Sequence, residues 1–495
     1  MRGFGNSHVS YLMMNLSKRI HKLKELLEER ILIVDGAMGT AIQGLELSAK
    51  DFGGEESEGC NEVLNLTKPE LISGIHKTYL QELPDIVETN SFGSTPLVLN
   101  EFGLGSQSYD ISRAASLIAK EAISKFETAE KLIFVAGSMG PTTRTISVTG
   151  GITWDELVEH YHIQAKGLID GGADFLLLET AQDTLNVKAG LSAIDQLGRE
   201  MDMIVPVAVQ ITIEVMGTML GGQDIEGFYN SLAHRDLLWI GVNCSTGPSF
   251  MRDHVRTLSQ LSRFPIAVIP NAGLPDEYGN YNEKPESLAS TLESFIDEGW
   301  VNVLGGCCGT TPEHIKHIIR MSQNRSTRKP VFRNETFVSG LDPFVIDNGT
   351  RPVLVGERTN VLGSRKFKRL VAEGNWEAGV EIGRKQVRDG SQVLDICLQD
   401  PDRDEAIDII TFLEFLNGRV KVPLMLDSTD PVVLREALKR TPGKSIINSI
   451  NLEDGEDRLR IIIPLIKEFG AAVVVGAAVV VALRDATSSR NASNS

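Results

Sequence analysis

Short, nearly unbroken apolar runs alternate along this chain with stretches whose apolar residues recur every three or four positions. Runs of the first kind read as parallel strands covered on both faces, and those of the second as amphipathic helices. Residues 17–30 open the series as a helix, with Ile20, Leu23, Leu26 and Leu27 set among Lys, Arg and Glu. Strands are expected over 31–38, 85–92, 132–140, 175–180, 205–213, 239–244, 265–271 and 301–307. Eight such β/α units predict an α/β fold, a (β/α)8 TIM barrel. Residues 323–340 are rich in Arg, Lys, Asn and Ser and read as a linker. A second series then sets strands over 352–357, 393–397, 423–427, 445–450 and 471–476. A closed barrel needs about three more units, so this reads as an incomplete second β/α barrel of about five strands. The expected organisation is a disordered extension over 1–16, a barrel over 17–325 and a linker over 326–345. A truncated barrel over 346–483 and a polar, unstructured tail over 484–495 complete it.

Composition narrows the class. Hydrophobic residues make up 42% and charged residues 23%, as in a globular domain. A net charge of −17 argues against nucleic acid or an anionic membrane as partner. The longest apolar run, 471–483, is too short to span a bilayer, and the first sixteen residues show no convincing cleavage site. A cytoplasmic location is expected. Five cysteines, an odd number, with three in glycine-rich strand ends, suggest a reducing compartment and a metal or redox site.

The chemistry centres on Gly305-Gly306-Cys307-Cys308-Gly309-Thr310, where an apolar run ends in glycines and two adjacent thiols. Cys244, at the end of another run, supplies a third thiol on the same barrel face. Zinc favours thiolates, and a catalytic zinc uses three protein ligands plus an open position. The plain alternative is three buried structural cysteines, but adjacent cysteines inside a glycine cluster pack a core poorly. Three thiolates around Zn²⁺ leave a site of net −1, suited to a substrate thiol as fourth ligand. A thiol bound there loses its proton near neutral pH and remains nucleophilic, so the implied chemistry is alkyl transfer to sulfur. Asp35-Gly36-Ala37-Met38-Gly39-Thr40 ends the first strand. Its small residues expose N–H groups that can hold a carboxylate, and Asp35 can pair with an ammonium group. Glu179, at the end of the fourth strand, can do the same. A helix-capping turn and a structural ion pair are the ordinary readings of these two acids. Together with the thiol site they describe a thiol-containing amino acid. Cys60 and Cys397 have no evident partners and receive no metal role.

Over the first 325 or so residues the chain resembles the homocysteine methyltransferase family. The resemblance rests on Asp35–Thr40, Gly59-Cys60-Asn61-Glu62, Glu88-Thr89-Asn90-Ser91-Phe92, 137–142, Glu179-Thr180, Asn243-Cys244 and 305–310. It implies that Cys244, Cys307 and Cys308 bind zinc, that the zinc activates homocysteine, and that Asp35 and Glu179 hold the amino group. That family also includes betaine- and S-methylmethionine-dependent enzymes, so the methyl donor stays open at this point. Gly356-Glu357-Arg358-Thr359-Asn360 and Gly363-Ser364-Arg365-Lys366-Phe367 resemble the pterin-binding domain of the cobalamin-dependent methionine synthase family. Asp427-Ser428 and Asn448-Ser449 match its later strand ends. This resemblance implies a 5-methyltetrahydrofolate site at Gly363, Ser364, Arg365, Asp427 and Asn448. It also implies cobalamin, carried by a domain or chain absent here. Asp395-Ile396-Cys397 stands where many relatives have Asp-x-Asn, and the last three folate-barrel strands are expected to be missing, so folate binding is expected to be weak. A non-catalytic zinc- or homocysteine-binding fragment is the alternative from another functional class.

Overall fold

The computed structural model describes residues 5–128, 130–450 and 457–475. Its first unit contains eight parallel strands: β1 (Leu32–Ile33), β2 (Ile86–Glu88), β3 (Phe134–Met139), β4 (Phe175–Ala181), β5 (Val207–Ile211), β6 (Ile240–Asn243), β7 (Ile266–Ile269) and β8 (Val303–Leu304). Consecutive strands from β2 to β8 pair with one another, and β1 pairs with β8. A bridge between Val34 and Ile86 joins the remaining edges, so the sheet is a nearly closed TIM-type barrel.

Side chains alternate across this sheet because successive strand residues point to opposite faces. Phe134, Ala136, Phe175, Leu177, Ala208 and Trp239 form one buried cluster, the barrel interior. Val135, Leu176, Leu178 and Val209 belong to another, shared with the surrounding helices. Phe175 meets Trp239 edge to face, with ring centroids 5.0 Å apart. The first helix runs over Gly5–Glu29, so residues 5–16, expected to be a disordered extension, are helical. Leu23 and Leu27, one turn apart, join the interior cluster and cover one end of the barrel.

The expected linker also needs correction. β9 (Thr336–Ser339) and β10 (Pro343–Ile346) form an antiparallel ribbon within 326–345 and one residue beyond. Val338 packs with Val393 and Ile446, and the Ser339 N–H donates to Lys444 O at 3.2 Å. Polar composition concealed this ribbon because its structure comes from backbone pairing and one buried valine.

The second unit is a five-stranded parallel sheet: β11 (Val355–Asn360), β12 (Val393–Cys397), β13 (Leu424–Asp427), β14 (Ile446–Ile450) and β15 (Ala472–Val475), in that order. β11 starts and ends three residues later than the strand expected over 352–357. Polar Thr359 and Asn360 are buried there because they bond across to β12, with Thr359 Oγ1 donating to Asp395 O at 2.7 Å. The expected tail at 484–495 lies outside the described residues.

The two units touch through both polar and aromatic contacts. Lys188, buried on the helix Thr184–Met201, donates to Gly443 O at 2.7 Å. Lys439 pairs with Asp155 at 2.8 Å, and Trp154 meets Phe469 with centroids 5.2 Å apart. Among the described residues no helix is long and apolar enough to cross a membrane.

Candidate active site

β6 ends at Asn243, and the chain then turns sharply, with Cys244 and Ser245 at φ 56 and 55. Side chains avoid that left-handed region, so the turn is held by its surroundings. After β8 the chain passes Gly305 and Gly306 to reach Cys307 and Cys308. A Cβ at Gly306 would stand 2.4 Å from Thr310 Oγ1, so the backbone passes where only glycine fits. The Cys307 N–H donates to Pro270 O at 2.8 Å and the Cys308 N–H to Asn271 Oδ1 at 3.1 Å.

These anchors gather the three thiols. Cys244 Sγ and Cys308 Sγ are 3.9 Å apart, and all three sulfurs lie within 4.8 Å of one another. Around a tetrahedral zinc with bonds of about 2.3 Å, sulfurs stand roughly 3.8 Å apart, so the donor set and its spacing fit such an ion. Hydrogen bonds from Cys244 and Cys307 pull the Cys308 thiol down to about 3, helped by the Tyr281 hydroxyl. Hydrogen bonds with Cys244 and Cys308 push the Cys307 thiol well above the ordinary range.

Glu62, Glu88 and Glu179 line one cavity with the three thiols, and Asp35 is buried beside Glu88 without lining it. Asp35 follows β1, Glu88 ends β2 and Glu179 lies on β4. Asp35 Oδ1 accepts the Glu88 N–H at 3.0 Å. Glu179 accepts from Ser138 Oγ at 2.5 Å and from Asn243 Nδ2 at 3.1 Å. Burial pushes Glu179 up to about 7, against those two hydrogen bonds. Burial also pushes Asp35 and Glu88 well above the carboxylate range, and the neighbouring charge of Glu179 adds to both shifts. A cavity of about 240 Å³ opens between acids and thiols, bounded by residues 36–40, Glu62, Glu88, Phe92, Glu179 and the three cysteines. No Lys, Arg or His lines it.

Glu88, Ser138 and Asn243 fall in stretches that carry the family resemblance, but the sequence assigned them no role in the site. Their parity with Ile86, Ala136 and Gly241 is a signal that they point inward, once the strands are known.

In the second unit, Asn360 Nδ2 donates to Asp395 Oδ2 at 2.8 Å and to Asp427 Oδ2 at 3.2 Å. Asn448 stands beside Asp427 in register on β14. Burial pushes Asp395 up to about 6, with the Asp427 charge contributing. Gly363 donates its N–H to Asn360 Oδ1 at 3.2 Å. Ser364 caps the helix Arg365–Ala372 through the Phe367 N–H, and Arg365 is exposed at its start. Neither Asn360 nor Asp395 was singled out as a site residue from the sequence, yet both join this polar row.

Comparison with known proteins places this arrangement. Residues 32–321, more than half of the chain, match the family Homocysteine S-methyltransferase. The chain belongs to that family. Residues 356–491 match the family Pterin binding enzyme. Among solved structures, the metallated form of the homocysteine methyltransferase MmuM from Escherichia coli is 21% identical, with a TM-score of 0.49. That match covers 60% of this chain and 97% of the other. The 3-hexulose-6-phosphate synthase from Salmonella typhimurium is 13% identical over 59% of this chain and 98% of its own, with a TM-score of 0.30.

Proposed function

We propose that this chain methylates the thiol of homocysteine to give methionine, with one zinc ion held by Cys244, Cys307 and Cys308. One observation carries the reading: a three-thiol cluster and buried carboxylates share one cavity that no basic side chain lines. That pattern matches a ligand with a thiol at one end and an ammonium group at the other. Bound zinc would supply Lewis-acid chemistry, lowering the pKa of the substrate thiol. Asp35 and Glu179 accept hydrogen bonds from the ammonium group. Ser138 and Asn243 fix the orientation of Glu179, and the N–H groups of the turn at 36–40 face the substrate carboxylate. The family membership and the pterin-binding match further support the reading as the amino-terminal part of a cobalamin- and methyltetrahydrofolate-dependent methionine synthase. In it, cobalamin is held outside the two described units, and Gly363, Ser364, Arg365, Asp427 and Asn448 face 5-methyltetrahydrofolate.

A donor screen tests this. The reduced, zinc-loaded protein is incubated with homocysteine and, separately, methylcobalamin, betaine or S-methylmethionine. Methionine is expected with methylcobalamin alone. Methionine formed from betaine or S-methylmethionine would replace the donor assigned here.

A further inference from the structure

We infer that Glu88 is a third substrate-binding carboxylate beside Asp35 and Glu179, and that it accepts one N–H bond of the substrate's protonated α-amine. The inference deepens the proposed function and rests on its homocysteine reading.

β2 is three residues long, and its first residue, Ile86, packs in the barrel interior. Residues two apart share a face, so Glu88 points inward at the level of the cavity. Its N–H bonds Asp35 Oδ1, which holds the two acids side by side. The three carboxylates differ in what satisfies them. Glu179 has a donor on each oxygen. Asp35 accepts the Glu88 N–H. Glu88 lines the cavity; its Oε1 is buried with no partner among the described residues, and a ligand in the cavity would reach its other oxygen.

An acceptor buried without a donor destabilises the fold unless a ligand supplies one. The cavity lining offers no cationic side chain. A primary ammonium group carries three donors and no acceptor. Glu88, which lines the cavity and has an unpartnered oxygen, offers an acceptor to one of those donors. The site therefore selects a thiol with a free, protonated amino group. Thiols without the amine, or with the amine alkylated, lose these contacts while keeping the thiol end.

Glu88→Gln and Glu88→Leu in the full zinc-loaded chain test this by calorimetric titration with homocysteine and with its desamino analogue, 4-mercaptobutyrate. Each variant is expected to bind homocysteine at least about tenfold more weakly and 4-mercaptobutyrate unchanged. The ligand-free melting temperature is expected to hold or rise, because an unsatisfied buried group is removed. In the wild type, N,N-dimethylhomocysteine, which keeps the charge but only one N–H, should bind at least about tenfold more weakly than homocysteine. Homocysteine affinity within about twofold of wild type in both variants overturns the inference. Unfolding of both variants also overturns it, marking Glu88 as structural. A wild type that binds both thiols equally rejects the amine cradle alone, whereas one that binds neither rejects the homocysteine reading beneath it.

Discussion

Asn243 Nδ2 donates to Glu179 Oε2 at 3.1 Å, and the residue that follows Asn243 is Cys244. The same amide donates to Thr180 Oγ1 at 2.8 Å, while its Oδ1 accepts the Thr180 N–H at 2.8 Å. One side chain on β6 thus grips two consecutive residues of β4 across the end of β5. It couples the position of an acid to the turn that presents a thiol, so the two halves of the cavity are set by one hydrogen-bonded unit.

Asn243→Ala should therefore weaken homocysteine binding more than zinc binding. Losing a hydrogen bond to a charged or partly charged acceptor costs about 1.5–3 kcal/mol, or at least about tenfold in affinity. Titration with homocysteine, beside metal analysis of the same preparation, checks it. Equal losses of zinc and substrate would show that the amide serves the turn at Cys244 alone.

Each of Cys244→Ser, Cys307→Ser and Cys308→Ser should lower zinc stoichiometry from one per chain towards zero, since a hydroxyl is a poor substitute for a thiolate ligand. The fold should survive, because the barrel interior lies below the site. Metal analysis and circular dichroism of the reduced proteins report both outcomes. Full zinc in any one variant would remove that cysteine from the ligand set.

Gly309 adopts φ +78, and a Cβ there would lie 2.2 Å from the Cβ of Tyr281. Gly309→Ala combines left-handed strain with overpacking and should cost about 2–4 kcal/mol. Tyr281 also hydrogen-bonds Cys308, so zinc affinity should fall with the melting temperature. Thermal melts with and without a chelator separate the two effects.

Lys188 is buried with only carbonyl partners at the junction of the two units, and burial pulls it down to about 7. Its folded pKa lies below the unfolded value near 10.5, so between those values the unfolded chain binds the extra proton. Stability attributable to this group should rise with pH from about 7 to about 10, by up to about 1.4 kcal/mol per unit, and flatten below 7. Lys188→Met should remove that slope. Denaturant melts of both proteins across the window test the sign.

Among the described residues the second sheet is an open arc with β11 and β15 at its edges. The row of Asn360, Asp395, Asp427 and Asn448 then lines one side of a cleft. Methyltetrahydrofolate should bind more weakly than the micromolar range, where about −8 kcal/mol is needed. A micromolar dissociation constant by calorimetry would show that the arc suffices.

Much of this protein was legible before folding. Apolar runs of strand length separated by helical periodicity carry the alternating β/α order, because both periods follow from local backbone geometry. The thiols at 244, 307 and 308 were readable because adjacent cysteines among glycines have few uses besides a metal. Local sequence misjudged the ribbon at Thr336–Ser339 and Pro343–Ile346 and the start of β11. There polar segments are ordered by partners far along the chain, such as Lys444 for Ser339 and Asp395 for Thr359 and Asn360.

The sequence by itself determined the kinds of chemistry present: soft thiolate donors, inward acids at strand ends and small residues where the backbone must pass closely. Only the tertiary structure decided which of these meet. Glu88 reaches Asp35 across 53 residues, and Asn243 reaches Glu179 across 64. Those pairings exist because barrel closure brings strand ends together at one mouth, a geometry set by the packing of all eight strands and encoded at no single position.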